Sequence, residues 1–75
     1  MMNRIRRKEL AEICAALTEL AERLQVVRDE EEEAFDNMPE SMQYTDRGER
    51  MQENVSTIDE SISEIEDKVS ELQEL

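Results

Sequence analysis

The chain has 75 residues, and a lone core in so short a chain buries only about 60% of the surface that its unfolded form exposes. Twenty-one acidic against nine basic residues, with no histidine, leave a formal charge of −12. That balance argues against direct binding to nucleic acid or anionic membrane, which requires Lys and Arg to neutralise phosphate, and favours basic protein partners.

The N-terminal stretch MMNRIRRKEL is basic like the start of a signal peptide, but Glu9, Glu12 and Glu19 interrupt the region where an apolar run would have to lie. No run of about 20 apolar residues is present for a membrane span. The single cysteine, Cys14, rules out an internal disulfide framework of the kind that staples small secreted domains. The expected compartment is therefore the cytoplasm.

From Leu10 onward, apolar residues recur at alternating steps of three and four: Leu10, Ile13, Leu17, Leu20, Leu24 and Val27, continued by Glu31, Ala34 and Met38. This spacing predicts a first helix, from about residue 3 to about residue 37, with a coiled-coil seam. Cys14, Ala16 and Ala21 flank that seam with small side chains that let another helix approach closely. The helix then carries a dense acidic run, Asp29 and Glu30, Glu31, Glu32 and Glu33, followed by Asp36. Glu31 falls on the seam itself, so its layer is expected to be hydrated, paired with Arg47 or Arg50, or turned toward a partner.

Pro39 disfavours helical geometry at Met38 and should stop the first helix. A turn over about 38–45 comes next, in which Phe35, Met38, Met42 and Tyr44 are expected to plug the end of the hairpin. Thr45 or Asp46 is the expected cap of a second helix, and Asp46 with Glu49 has capping-box spacing. Gly48 lies on the second seam, where the missing side chain would allow close contact with the end of the first helix.

The second helix, about 46–75, shows a stripe of Met51, Val55, Ile58, Ile62, Ile65, Val69 and Leu72. Facing residues in an antiparallel hairpin have nearly constant sums of sequence number. Pairing Leu10 with Leu75, Ile13 with Leu72, Leu17 with Val69, Leu20 with Ile65, Leu24 with Ile62, Val27 with Ile58, Glu31 with Val55 and Ala34 with Met51 gives sums of 85 or 86 throughout. The expected fold is therefore all-α, an antiparallel two-helix hairpin. Its wide seam predicts homo-dimerisation into a four-helix bundle. The same register sets the basic cluster Arg4, Arg6, Arg7 and Lys8 near Glu71 and Glu74, as an electrostatic clasp.

No catalytic constellation is present. There is no histidine to act as a general base, Cys14 has no activating neighbour in the sequence, and no Gly-rich phosphate loop occurs. The acidic run lacks the pattern of an EF-hand, and the Glu-x-x-His pairs of di-iron bundles are missing. No enzyme activity, small-molecule substrate, cofactor or metal is expected. The candidate interaction residues are Glu30, Glu31, Glu32, Glu33, Asp36, Tyr44 and Arg47, with Asp59, Glu60, Glu64 and Asp67 on the second helix. Rows of carboxylates on a rod can imitate a phosphate backbone, so the alternative function is an anti-CRISPR-like inhibitor of a host defence or nucleic-acid enzyme.

The segment EEEAFDNMPESMQYTDRGERMQENV, residues 31–55, resembles a family of small helical-hairpin proteins of bacteriophages, prophages and gut Firmicutes. There a Glu-rich helix ends in E-x-F/Y-D-N-M/L-P-E, followed by T-x-R-G-E and a second heptad helix. The matching residues are Glu33, Phe35 to Gln43, Thr45, Arg47, Gly48 and Glu49. The resemblance implies a helical hairpin of mobile-element origin, and hence a bacterial host cell. The expected function, a small acidic protein–protein interaction module acting by binding or oligomerisation, rests on the wide seam.

Overall fold

The computed structural model describes residues 2–75. Helix α1 spans Arg4–Asp36, a single turn α2 spans Glu40–Gln43, and α3 spans Asp46–Gln73. The long helices pack on each other as a hairpin, and no strand occurs among the described residues. The all-α hairpin expected from the heptads is the observed fold.

Each helix end has a local cause. At the start of α1, the Asn3 side chain accepts the Arg6 backbone N–H at 2.9 Å, satisfying one of the orphan donors of the first turn. At its other end, the Gln43 amide donates to the carbonyls of Phe35, which also accepts the Met38 N–H, and of Met38, both at 3.2 Å, tying α2 to the end of α1. The turn is thus more ordered than a plain connector. Pro39, extended at ψ 140°, precedes α2, and its carbonyl accepts from Met42 and Gln43.

Two expectations for the turn are corrected. Thr45 occupies the N-cap position of α3, but its hydroxyl donates backward to the Met42 carbonyl, and its side chain caps nothing in α3. Asp46 is already inside the helix, so no capping box forms. Asp46 and Glu49 still place negative charge in the first turn, where the helix dipole favours it. Gly48 is buried, yet the backbone it lies closest to is Gln43 of α2, not the end of α1. A Cβ at residue 48 would sit 2.2 Å from the Gln43 carbonyl oxygen. Glycine is needed here for close approach, since its φ is not positive.

The plug at this end is also smaller than expected. Phe35 and Met38 are half-buried, whereas Met42 is exposed and Tyr44 is 77% exposed. Tyr44 takes no part in the packing.

The seam of α3 is as expected: Met51, Val55, Ile58, Ile62, Ile65, Val69 and Leu72 are all buried or half-buried. The seam of α1 is rotated by one position in alternate layers. Leu10, Leu17 and Leu24 face inward as expected, but Cys14, Ala21, Arg28 and Phe35 fill the layers between them. Ile13, Leu20 and Val27, expected to face α3, are 40%, 47% and 51% exposed. Small side chains explain the choice. Cys14 and Ala21 let the helix axes close in on the β-branched row of α3, and both are buried, as are Ile62 and Val69.

With this correction, the constant-sum register sets Cys14 opposite Leu72, Leu17 opposite Val69, Ala21 opposite Ile65, Leu24 opposite Ile62, Arg28 opposite Ile58, Glu31 opposite Val55 and Phe35 opposite Met51. Their residue numbers share a single sum. The two cross-helix hydrogen bonds, Arg28 to Asp59 and Asn54 to Glu31, fall one position either side of it. The register expected from the sequence is therefore retained while the face of α1 turns.

The result is a rod of 58 × 15 × 12 Å with a radius of gyration of 17.3 Å, against about 11 Å for a compact globule of this length. Among the described residues no side chain is completely buried. Two helices cannot enclose a core, so every layer keeps an open side.

Candidate functional site: two unlike flanks of the hairpin

The open sides differ in chemistry. Along one flank, the groove between the helices is lined by Thr18, Ala21, Glu22, Gln25, Ile62 and Glu66. It continues toward the turn past Arg28, Glu32, Gln52 and Asp59. This polar flank is organised by Arg28, a residue not singled out by the sequence pattern. Its Nε donates to Asp59 of α3 at 2.9 Å, and its Nη1 contacts Asp29 at 3.2 Å and Glu32 one helical turn on. The hydrogen bond to Asp59, followed by that to Asp29, raises the pKa of the guanidinium above its ordinary value against the desolvation that opposes it. Arg28 sits where the heptad calls for an apolar residue. Its stem covers the seam while its head reaches the carboxylates.

The opposite flank is lined by Val27, Glu30, Glu31, Asn54, Thr57 and Ile58 at one end. Further along it are Leu17, Ser61, Glu64, Ile65 and Lys68. Ile13, Leu20 and Val27 stand at steps of seven on this side of α1. Asp67 and Glu71 line the groove as well, so it also carries charge; what sets the flank apart is the aliphatic row of α1 beside the edge of the α3 seam.

The expected interaction residues are not assembled into one patch. Glu30, Glu33 and Asp36 are exposed, Glu31 and Glu32 are half-buried, and Glu60, Glu64 and Asp67 are exposed on α3. Glu32 and Asp59 are drawn together by Arg28 on the polar flank, whereas Glu30, Glu31 and Glu64 border the other one. Glu31 accepts from Asn54 at 2.8 Å, so neither Arg47 nor Arg50 answers its charge. Arg47 and Tyr44 are exposed at the turn and form no ion pair or side-chain hydrogen bond among the described residues.

The expected clasp is absent as well. Among the described residues, Arg4, Arg6, Arg7 and Lys8 form no salt bridge. Arg7 donates to the Met2 carbonyl, and Glu71 is paired with Lys68 of its own helix. Cys14 is a free, buried thiol, and no group of three His, Cys, Asp or Glu residues is placed to hold a metal among the described residues. No described helix is long and apolar enough to cross a membrane.

Compared with protein-family models, curated proteins and solved structures, the chain shows no match.

Proposed function

We propose that this protein is a small acidic interaction module that works by presenting the apolar flank of α1 to another protein surface, as a helical hairpin completed into a bundle by its partner. The observation that carries this reading is the row Ile13, Leu20 and Val27, three large aliphatic side chains about half exposed at heptad spacing on a rod in which no side chain among the described residues is completely buried. A row of this kind along one side of a helix is what a bundle covers when a further helix packs on it. Association with a second hairpin gives a four-helix bundle. A mobile-element origin and a host-cytoplasmic setting accord with the resemblance of residues 31–55 to phage and prophage hairpins. Carboxylate mimicry of nucleic acid is the weaker reading, because Arg28 already engages Asp29, Glu32 and Asp59.

Leu20→Glu tests the reading. The substitution lies on a half-exposed site, so helix content by circular dichroism should persist while association, followed by sedimentation at micromolar concentration, is lost. Association equal to that of the unsubstituted chain would exclude the flank as the binding surface.

A further inference from the structure

The same flank has a symmetry that names its partner. The exposed row Ile13, Leu20 and Val27 is centred on Leu20, since the outer two residues lie seven positions to either side. The ends of α1 carry opposite charge about the same centre. The cations Arg4, Arg6, Arg7 and Lys8 occupy positions 4–8, and the last carboxylates of the acidic run that begins at Asp29, namely Glu32, Glu33 and Asp36, occupy positions 32–36. Glu30 and Glu31 line the apolar flank beside Val27, and Glu32 and Asp36 lie toward the polar one. Reflection of the numbering about residue 20 carries one segment onto the other. The four cations form no salt bridge among the described residues, and of the carboxylates in the mirror segment Glu32 is paired with Arg28, whereas Glu33 and Asp36 form none.

We infer that the apolar flank is covered by a second copy of this chain, with the two α1 helices antiparallel about a two-fold axis at Leu20. The inference rests on the proposed interaction reading and specifies its partner. In this arrangement Leu20 meets Leu20 of the partner copy, and Ile13 of each copy meets Val27 of the other. The 4–8 segment of each copy then lies beside the 32–36 segment of the other. Arg6 continues the row of Ile13 and Leu20 one heptad toward the N-terminus, and Glu30 and Glu33 border the mirror position, Ala34. An isologous contact of this kind uses each patch twice and closes on itself, so it adds no open end. Within one chain Arg6 and Glu33 are about 40 Å apart along the helix, so they can meet only between copies. A parallel pair would instead stack cations on cations and carboxylates on carboxylates, which is unfavourable for a chain of charge −12.

The experiment is a charge swap read by sedimentation equilibrium on the full chain. Arg6→Glu should weaken the dimer about tenfold, because the broken contact occurs twice by symmetry. Glu30→Lys with Glu33→Lys should also weaken it. The second result separates pairing from net charge, since those substitutions make the chain less acidic and on charge alone would tighten association. Combining all three should restore most of the affinity. Orientation is read independently in a Cys14→Ala background: a mixture of Ile13→Cys and Val27→Cys chains should form the mixed disulfide, and Ile13→Cys alone should not pair with itself. Self-pairing of Ile13→Cys, or no recovery in the triple variant, overturns the antiparallel arrangement but leaves the apolar flank as the binding surface. A wild-type chain that sediments as a monomer overturns the second copy as occupant. Association that survives Leu20→Glu overturns the underlying reading itself.

Discussion

Helices α1 and α3 have similar lengths and the same heptad grammar, yet they spend their apolar residues differently. On α3 every large aliphatic residue of the stripe from Met51 to Leu72 is buried or half-buried against α1, and the remaining faces are polar. On α1 the inward face is built partly from Cys14 and Ala21, and the larger Ile13, Leu20 and Val27 remain outside. One helix is consumed by folding. The other alternates large inward residues, Leu10, Leu17, Leu24 and Phe35, with the small Cys14 and Ala21 and leaves Ile13, Leu20 and Val27 partly exposed, the row on which the proposed association rests.

Substitution of Ile62 by Ala should break the comparison most strongly. Ile62 is among the few buried residues, and truncation of a buried Ile removes both transfer energy and packing, typically about 2–4 kcal/mol. Chemical denaturation should show that loss at every protein concentration. Leu20→Ala should behave oppositely: its cost should grow with concentration, because a ligand-like second copy stabilises only the associated fold. Equal, concentration-independent losses at both sites would erase the distinction between the two helices.

Next in size is Gly48→Ala, which tests whether the turn is a fixed pivot. In an ordinary helix interior this change would add up to about 1 kcal/mol of stability. Here the new methyl group would lie 2.2 Å from the carbonyl oxygen of Gln43, a backbone atom, so α2 must move. The Gln43 amide would be pulled from the Phe35 and Met38 carbonyls as it does. A net loss of about 1–3 kcal/mol is expected, as for other forced overpacking, and a gain on thermal unfolding would show that the contact is slack.

Asn3→Ala should have a smaller effect, about 1 kcal/mol, confined to the first turn of α1, where the Asn3 side chain holds the Arg6 N–H. Amide hydrogen exchange should show fraying near the N-terminus and unchanged protection around Leu24 and Ile62. Spread of the loss to the middle of the rod would mean that the terminal turn supports the hairpin seam.

These contrasts also show what can be read from sequence. The register is legible, because two independent heptad rows fit one constant sum, and the α3 face is legible because only one apolar stripe exists there. The α1 face is ambiguous, since both the row of Ile13, Leu20 and Val27 and the row of Cys14, Ala21 and Phe35 can accompany Leu10, Leu17 and Leu24. Larger side chains suggest the first row, whereas close approach of two helices selects the second. The single turn α2 is hidden by its length, although Pro39 followed by Glu40 is a helix-start signal. Arg28 escapes the pattern because an arginine among apolar seam positions reads as an interruption. The nearby Asp29 and Glu32 are the available sign that its charge could be answered.

The smallest expected effect comes from the polar flank, and it has a definite sign in pH and salt. The pKa of Arg28 is raised in the fold, chiefly by its hydrogen bond to Asp59. A raised basic pKa contributes stability that is fully present below the unfolded value and is lost only as pH climbs through the folded one. For an arginine that window lies at the alkaline extreme, so Arg28 remains charged between about pH 6 and 9 and its contribution is flat there. Added salt should weaken the Arg28–Asp59 coupling while relieving the self-repulsion of a chain of charge −12, two opposed effects with different origins. A double-mutant cycle of Arg28→Met and Asp59→Asn, followed through thermal unfolding at low and high salt, separates them. The coupling should shrink with salt even as the melting temperature of the parent chain rises. A coupling that is zero at low salt would reduce Arg28 to a greasy stem on the seam, and the polar flank would then differ from the apolar one only in composition.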